Sequence, residues 1–132
     1  MQQFHNILAT LLHLRNKVHV AHWYINGDDF YEMHKLYNKQ YNTLLDLADR
    51  VAEFMIMNDM KPCRTLTEVI EHSLLADNGD ISIRSLCEDY DILDKFINKI
   101  PSSKDRVQEN LLAIVQEQVE KYRWFLDATL GK

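Results

Sequence analysis

The feature that most constrains the fold is a long stretch of helical periodicity that no proline or glycine interrupts. Between positions 30 and 58, apolar side chains recur every three or four residues: Phe30, Met33, Tyr37, Tyr41, Leu44, Ala48, Val51, Ala52 and Met55. This spacing places them on one face of an α-helix. At about 1.5 Å per residue the predicted helix is roughly 42 Å long. A chain of 132 residues that contains such a helix must form an elongated bundle.

The first predicted helix ends where the chain turns sharply. Its apolar positions continue to about Asn26, where the segment Asn26-Gly27-Asp28 follows. Glycine tolerates a positive φ at the end of a helix, and aspartate is a favourable N-cap. We therefore predict that the first helix ends at about Asn26 and that Asp28 caps the second, which runs to about Asn58.

Two more long helices follow a long connection. One is marked by apolar positions from Leu86 to Ile100 and is closed by Pro101, and the other runs from Val107 to Leu126. In the connection, Thr65-Leu66-Thr67-Glu68 has the spacing of a capping box and predicts a short helix. The prediction is an all-α four-helix bundle with a short helix in the crossover, in which residues 1–132 form a single domain.

Composition excludes several classes of protein. No run approaches the roughly 20 apolar residues that span a bilayer, so no membrane association and a cytoplasmic location are expected. The net charge is −5 and no Lys- or Arg-rich tail is present, so DNA binding should be weak or absent. Cys63 and Cys87 form no CxxC motif, and we interpret both as small buried side chains.

Two pairs of possible metal ligands lie on the second helix. His34 and Asn38 are one turn apart, and so are Asp49 and Glu53. Imidazole and carboxylate groups together suit divalent iron. Both pairs lie on one stripe of the helix, but the step from 38 to 49 separates them by about 16 Å. One chain therefore cannot close both pairs around a single metal centre.

A second copy of the chain would solve this problem. Two antiparallel copies of the second helix, related by a two-fold axis near Thr43 and Leu44, would bring the first pair opposite the partner's second pair. His22, just before the turn, can fold back over His34 to complete the site. We therefore predict two equivalent metal sites between subunits, with His22, His34, Asn38, Asp49 and Glu53 as the ligands.

Four segments of the chain resemble the Dps family, the mini-ferritins named for DNA protection in starved cells. They are KVHVAHWYINGDDFYEMH at 17–34 with the later Tyr41, DRVAE at 49–53, TLTE at 65–68 and EKYRWFL at 120–126. The resemblance implies a ferritin-like fold and a hollow homo-oligomer of twelve subunits. It also implies oxidation of ferrous iron, preferably with hydrogen peroxide, and storage of ferric mineral inside the shell.

The resemblance assigns roles to individual positions. His22 and His34 match ligands from one subunit, Asp49 and Glu53 match ligands from its two-fold mate, and Trp23 matches an aromatic beside the site. Asn38 departs from the pattern, which normally has aspartate there. An amide oxygen can coordinate a metal but brings no negative charge, so the second iron should bind more weakly.

Three functions remain open from the sequence. The first is the iron-oxidising cage, with ferroxidase activity at His22, His34, Asp49 and Glu53. The second is a structural or metal-buffering cage in which Asn38 impairs oxidation. The third is a helical-bundle interaction protein whose histidines are incidental, which should stay monomeric or dimeric. His19 and Trp23, together with Trp124, are interpreted mainly as packing residues.

Overall fold

The computed structural model of the chain describes residues 2–131, and all regular secondary structure in this part is helical. The helices are α1 (Gln2–Tyr24), α2 (Phe30–Met57), α3 (Leu66–His72), α4 (Ile83–Asn98) and α5 (Arg106–Thr129). Four of them are long, and the seven-residue α3 lies in the connection between α2 and α4. The predicted all-α bundle with a short helix in the crossover is confirmed.

The four long helices pair as two hairpins. Helix α1 packs mainly on α2, and α4 packs mainly on α5, while contacts of α1 with α4 and of α2 with α5 close the bundle. Each of the four long helices has a buried stripe; in α2 it includes Met33, Tyr37, Leu44, Val51 and Met55. This stripe has the spacing predicted from the sequence. The opposite face of α2 remains exposed along its length.

The turn between α1 and α2 differs in detail from the prediction. Helix α1 ends at Tyr24, two residues before the predicted end, because Gly27 has a φ of 91° and the chain leaves the helix early. The residue before α2 is Asp29 rather than Asp28, and its side chain makes no capping hydrogen bond. Instead, the backbone N–H of Phe30 donates to the carbonyl of Gly27 at 3.1 Å. A glycine turn therefore starts α2 without a side-chain cap.

The capping box of α3 is confirmed. The Glu68 N–H donates to Thr65 Oγ1 at 3.1 Å, and the Glu68 carboxylate accepts from the Thr65 hydroxyl and the Arg64 N–H, both at 3.4 Å. Helices α4 and α5 begin at serine and aspartate caps: Ser82 accepts from the Ser85 N–H, and Asp105 accepts from the N–H groups at 107 and 108. Local capping thus defines three of the helix starts.

Polar side chains of α1 attach the crossover to the bundle. Thr10 Oγ1 accepts from the Leu74 N–H at 3.0 Å, and His13 Nδ1 lies 2.8 Å from Ser73 Oγ. Burial, the largest cause, and the neighbouring Lys17 lower the pKa of His13, so this imidazole stays neutral at physiological pH. The crossover is therefore held along α1, away from the outward face of α2.

A buried ion pair joins α1 to α4. Lys17 Nζ lies 2.6 Å from Asp89 Oδ2, and both side chains are less than 10% exposed. Burial raises the pKa of Asp89 although the Lys17 ammonium lowers it. Lys17 shares the face of α1 that carries Leu14, Val18 and Ala21, so a charge lies within the apolar stripe of that helix. This pair fixes the relative position of the first and third long helices.

Candidate metal centre

The interior of the bundle does not offer a metal site. Bundles of this kind that bind two metals internally use inward-facing glutamates and histidines. No glutamate is buried among residues 2–131, where the buried polar and charged side chains are Thr10, His13, Lys17, Gln40, Asp89 and Asp94. Asp89 is paired with Lys17, and Asp94 accepts from Gln116 at 3.0 Å. A site must therefore be sought on the surface.

Phenol groups fill the centre of the bundle instead of carboxylates. The Tyr90 hydroxyl donates to Gln40 Oε1 at 2.8 Å, and the Tyr122 hydroxyl lies 2.9 Å from Thr43 Oγ1. Burial raises the pKa of Tyr37 to about 12 and that of Tyr90 well above its usual value, so both phenols stay protonated. Neutral phenols are poor ligands for divalent metals, so the buried tyrosines do not provide a metal site in the interior.

Two of the predicted ligands, His22 and His34, meet at the α1–α2 end of the bundle. His22 Nδ1 lies 2.9 Å from the backbone carbonyl of His34, and His34 Nδ1 lies 3.1 Å from the backbone carbonyl of His22. Their rings are stacked, with centroids 3.7 Å apart and planes inclined by 23°. The ring of Phe30 stacks on His34 at 4.9 Å. The two imidazoles therefore have fixed positions.

The reciprocal hydrogen bonds also determine the tautomer of both rings. A carbonyl oxygen can only accept, so each Nδ1 must carry the proton and donate it. Each Nε2 then keeps its lone pair. A histidine that donates one ring N–H to a backbone carbonyl and offers the other nitrogen is typical of metal ligands. The arrangement can thus present two nitrogen ligands without a change of tautomer.

The other three predicted ligands lie on the exposed face of α2. Asn38, Asp49 and Glu53 are all exposed. Neither carboxylate has a hydrogen bond or ion pair with any of the described residues, whereas Asp91 on α4 is paired with Lys95 and Arg123. The structure brings His22 and His34 together but leaves the carboxylates elsewhere along α2. No group of three or more metal-binding side chains forms within residues 2–131.

Aromatic residues surround the histidine pair. The ring of His19 contacts Trp23 at 4.5 Å and Tyr41 at 4.2 Å, and it lies 6.2 Å from His22. Trp23 and Trp124, which were interpreted as packing residues, contact the rings of His19 at 4.5 Å and Phe125 at 5.1 Å, but they remain 59% and 63% exposed in the single chain. The contact of Phe30 with His34 was not predicted, although their spacing of four residues on one helix was the available signal.

Comparisons with known proteins agree with this fold. The Ferritin-like domain family matches residues 1–132. General stress protein 20U of Bacillus subtilis is 25% identical over 87% of this chain and 86% of its own length. DNA protection during starvation protein 2 of Bacillus anthracis is 26% identical over 90% and 88%.

A solved structure has a similar fold. The crystal structure of Dps from Staphylococcus aureus matches with a TM-score of 0.87 and 24% identity, over 97% of this chain and 92% of that chain. No helix among residues 2–131 is long and apolar enough to cross a membrane. The chain therefore belongs to the ferritin-like domain family, and the members that it resembles are Dps proteins.

Proposed function

We propose that this chain is the subunit of a cytoplasmic mini-ferritin cage that binds ferrous iron, oxidises it, preferably with hydrogen peroxide, and stores the ferric product. The observation that carries the proposal is the locked pair of His22 and His34, which presents two Nε2 lone pairs beside the exposed face of α2. Membership of the ferritin-like family supports the same function. A mixed set of imidazole and carboxylate ligands suits divalent iron.

The site is proposed to form between two copies of the chain. Along α2, His34 and Glu53 lie equally far from the step between Thr43 and Leu44, and so do Asn38 and Asp49. A two-fold axis at this level therefore pairs His34 with the opposite Glu53, and Asn38 with the opposite Asp49. His22 and His34 of one copy would then face Asp49 and Glu53 of the other. This arrangement uses carboxylates that have no partner within the described residues.

The proposed reaction assigns a separate task to each group. Two ferrous ions each give up one electron, and hydrogen peroxide takes both electrons with two protons to form two molecules of water. Asp49 and Glu53 would offset the charge of the cations, while the histidines hold them in place. Because both electrons go to one peroxide, hydroxyl radical is not released.

Assembly into a cage is supported by apolar side chains that the single chain leaves exposed. Leu66 on α3 is 85% exposed, Ile70 is 43% exposed, and no residue of α3 is buried. Ile56 and Met57 at the end of α2 are 62% and 71% exposed. Large apolar side chains that a single chain leaves exposed are typical of surfaces that assembly covers. We propose a homo-oligomer, with twelve subunits by resemblance to the Dps family.

Asn38 favours a second candidate function, a metal-buffering or structural cage with weak oxidation. Substitution Asn38→Asp should restore a carboxylate beside the second iron and speed peroxide-driven oxidation about ten-fold. The measurement is the rate of ferric absorbance after ferrous iron and peroxide are mixed with the assembled protein. Asn16→Asp, at an exposed asparagine of α1 outside the proposed site, is the matched control for added charge and should leave the rate unchanged.

The same experiment separates the two candidate functions. A wild-type rate well above that of free iron, which Asn38→Asp raises about ten-fold further, supports the iron-oxidising cage. A wild-type rate equal to that of free iron, with fast oxidation only in the Asn38→Asp variant, would contradict it and favour the buffering cage.

DNA binding is proposed to be weak or absent, in spite of the names of the Dps relatives. The net charge of −5 opposes binding to the phosphate backbone. We expect no shift of duplex DNA in a gel at physiological salt with micromolar protein. A tight complex that dissociates steeply as salt rises would contradict this prediction.

A further inference from the structure

We propose that His5 and His72 form a second metal site, which takes a divalent transition metal of the Zn²⁺ or Cu²⁺ class. His5 lies in the second turn of α1, and His72 is the last residue of α3. Neither residue belongs to the proposed iron centre, and this proposal does not depend on that centre. A metal at this position would tie the crossover helix to α1.

The distance between the two rings fits a shared metal. The centroids of His5 and His72 are 5.5 Å apart, and the planes are inclined by 41°. Two imidazoles that bind one metal, each at about 2.0–2.1 Å, have ring centres roughly 5–6 Å apart for ligand angles near tetrahedral. The histidine pair at the iron centre is different, because its rings are stacked at 3.7 Å and cannot bind one ion between them.

His5 has a lone pair that nothing else uses. Its Nε2 lies 3.1 Å from the backbone carbonyl of Lys61, which can only accept, so Nε2 carries the proton. Its Nδ1 is buried and has no hydrogen-bond partner among the described residues. A buried acceptor without a partner is costly, and a metal ion would satisfy it. Histidines that bind a metal through one ring nitrogen typically donate the N–H of the other nitrogen to an acceptor such as a backbone carbonyl.

His72 is held in place by α1 on two sides. Its backbone carbonyl accepts from Asn6 Nδ2 at 2.9 Å, and its Nδ1 lies 3.1 Å from the side-chain amide of Gln2. Rotation of this amide by 180° would let its oxygen accept from Nδ1–H. The Nε2 atom of His72 would then hold the lone pair. This tautomer of His72 therefore requires only the exchange of the two ends of one amide.

The ligand set determines which metals should bind. The described residues offer no third histidine, cysteine or carboxylate close enough to form a cluster of three, so water would complete the coordination. A site with two imidazoles favours Cu²⁺ over Zn²⁺, and both over Fe²⁺. Ferrous iron would thus bind at the carboxylate-containing centre, and the two sites would differ in the metals that they prefer.

The test measures zinc bound to the assembled protein by equilibrium dialysis against Zn²⁺ alone. We expect the wild type to bind one more zinc per chain than either His5→Ala or His72→Ala. The matched control is the double variant His22→Ala, His34→Ala, which should keep this zinc. Circular dichroism and native mass would verify folding and assembly, and His72→Gln serves as the conservative variant if His72→Ala does not assemble.

A crystal soaked in zinc tests the position of the metal directly. Anomalous density between the rings of His5 and His72 is expected in the wild type. Equal zinc in the wild type and both single-histidine variants, or no density between these rings, would overturn the proposal. Iron oxidation by His72→Ala should remain at the wild-type rate, so failure of this site and failure of the proposed function give different results.

Discussion

Substitution of His22 by alanine should slow peroxide-driven iron oxidation by at least about 100-fold, equivalent to ~2.7 kcal/mol of transition-state stabilisation. The substitution removes a proposed nitrogen ligand that a backbone hydrogen bond at 2.9 Å holds in place. Glu53→Ala should have an effect of similar size because it removes a carboxylate that is proposed to offset the charge of the iron. The measurement is the initial rate of ferric absorbance at a fixed concentration of assembled protein.

The matched control for this prediction is His72→Ala, which removes a histidine from the far end of the crossover helix. Its oxidation rate should equal that of the wild type. Native mass must show that all three variants form the same assembly. A His22→Ala rate within a few-fold of the wild type would contradict the assignment of His22 as a ligand.

The second large effect concerns stability. Lys17→Ala should lower the free energy of unfolding by about 3–5 kcal/mol, because it leaves the Asp89 carboxylate buried without its partner. The matched control is Lys95→Ala, which breaks an ion pair of nearly the same length, 2.7 Å to Asp91, with a lysine that is 70% exposed. That loss should stay below about 1 kcal/mol. Urea unfolding at one fixed subunit concentration measures both values.

Replacement of both charges separates the cost of an orphaned charge from the value of the pair. Lys17→Met with Asp89→Leu should be much less destabilising than Lys17→Ala alone, because burial already opposes the charged form of Asp89. If Lys17→Ala and Lys95→Ala have equal effects, the buried pair does not hold α1 against α4.

Much of the fold could be predicted because its elements are long and strongly periodic. The apolar spacing of α2 predicted its start within about two residues and its end within one, and the capping box at Thr65 located α3. The start of α4 was less clear from apolar spacing alone, since its first turn contains Arg84 and Ser85. The end of α1 was missed by two residues because the apolar spacing continues through Ile25, although the chain leaves the helix after Tyr24.

The polar contacts in the interior could not be predicted from the sequence, for a different reason. The pairing of Lys17 with Asp89 joins positions 72 residues apart, and only the packing of α1 on α4 brings them together. Two acidic residues of α4, Asp89 and Asp94, are also buried, which the apolar spacing of that helix does not indicate. A lysine within the apolar stripe of α1 was the one available signal that a buried partner existed.

The candidate site was partly predictable. Residue types and spacing on α2 identified two pairs of possible ligands and implied a second subunit. They could not indicate that His22 and His34 exchange hydrogen bonds with each other's backbone carbonyl, which fixes the tautomers. The exposure of Trp23 was also missed, because helical spacing alone does not distinguish a surface that packs within one chain from one that packs between chains.

The central claim is that each iron site takes histidines from one subunit and carboxylates from another, and complementation tests it most directly. His22→Ala and Glu53→Ala subunits, each inactive alone, would be unfolded, mixed in equal amounts and reassembled. Random mixing makes about half of the two-fold pairs mixed, and in each mixed pair one of the two sites keeps all its proposed ligands. About a quarter of all sites are then intact, so about a quarter of the wild-type activity should return. Mixed assemblies that stay as inactive as either variant alone would contradict a site shared between subunits.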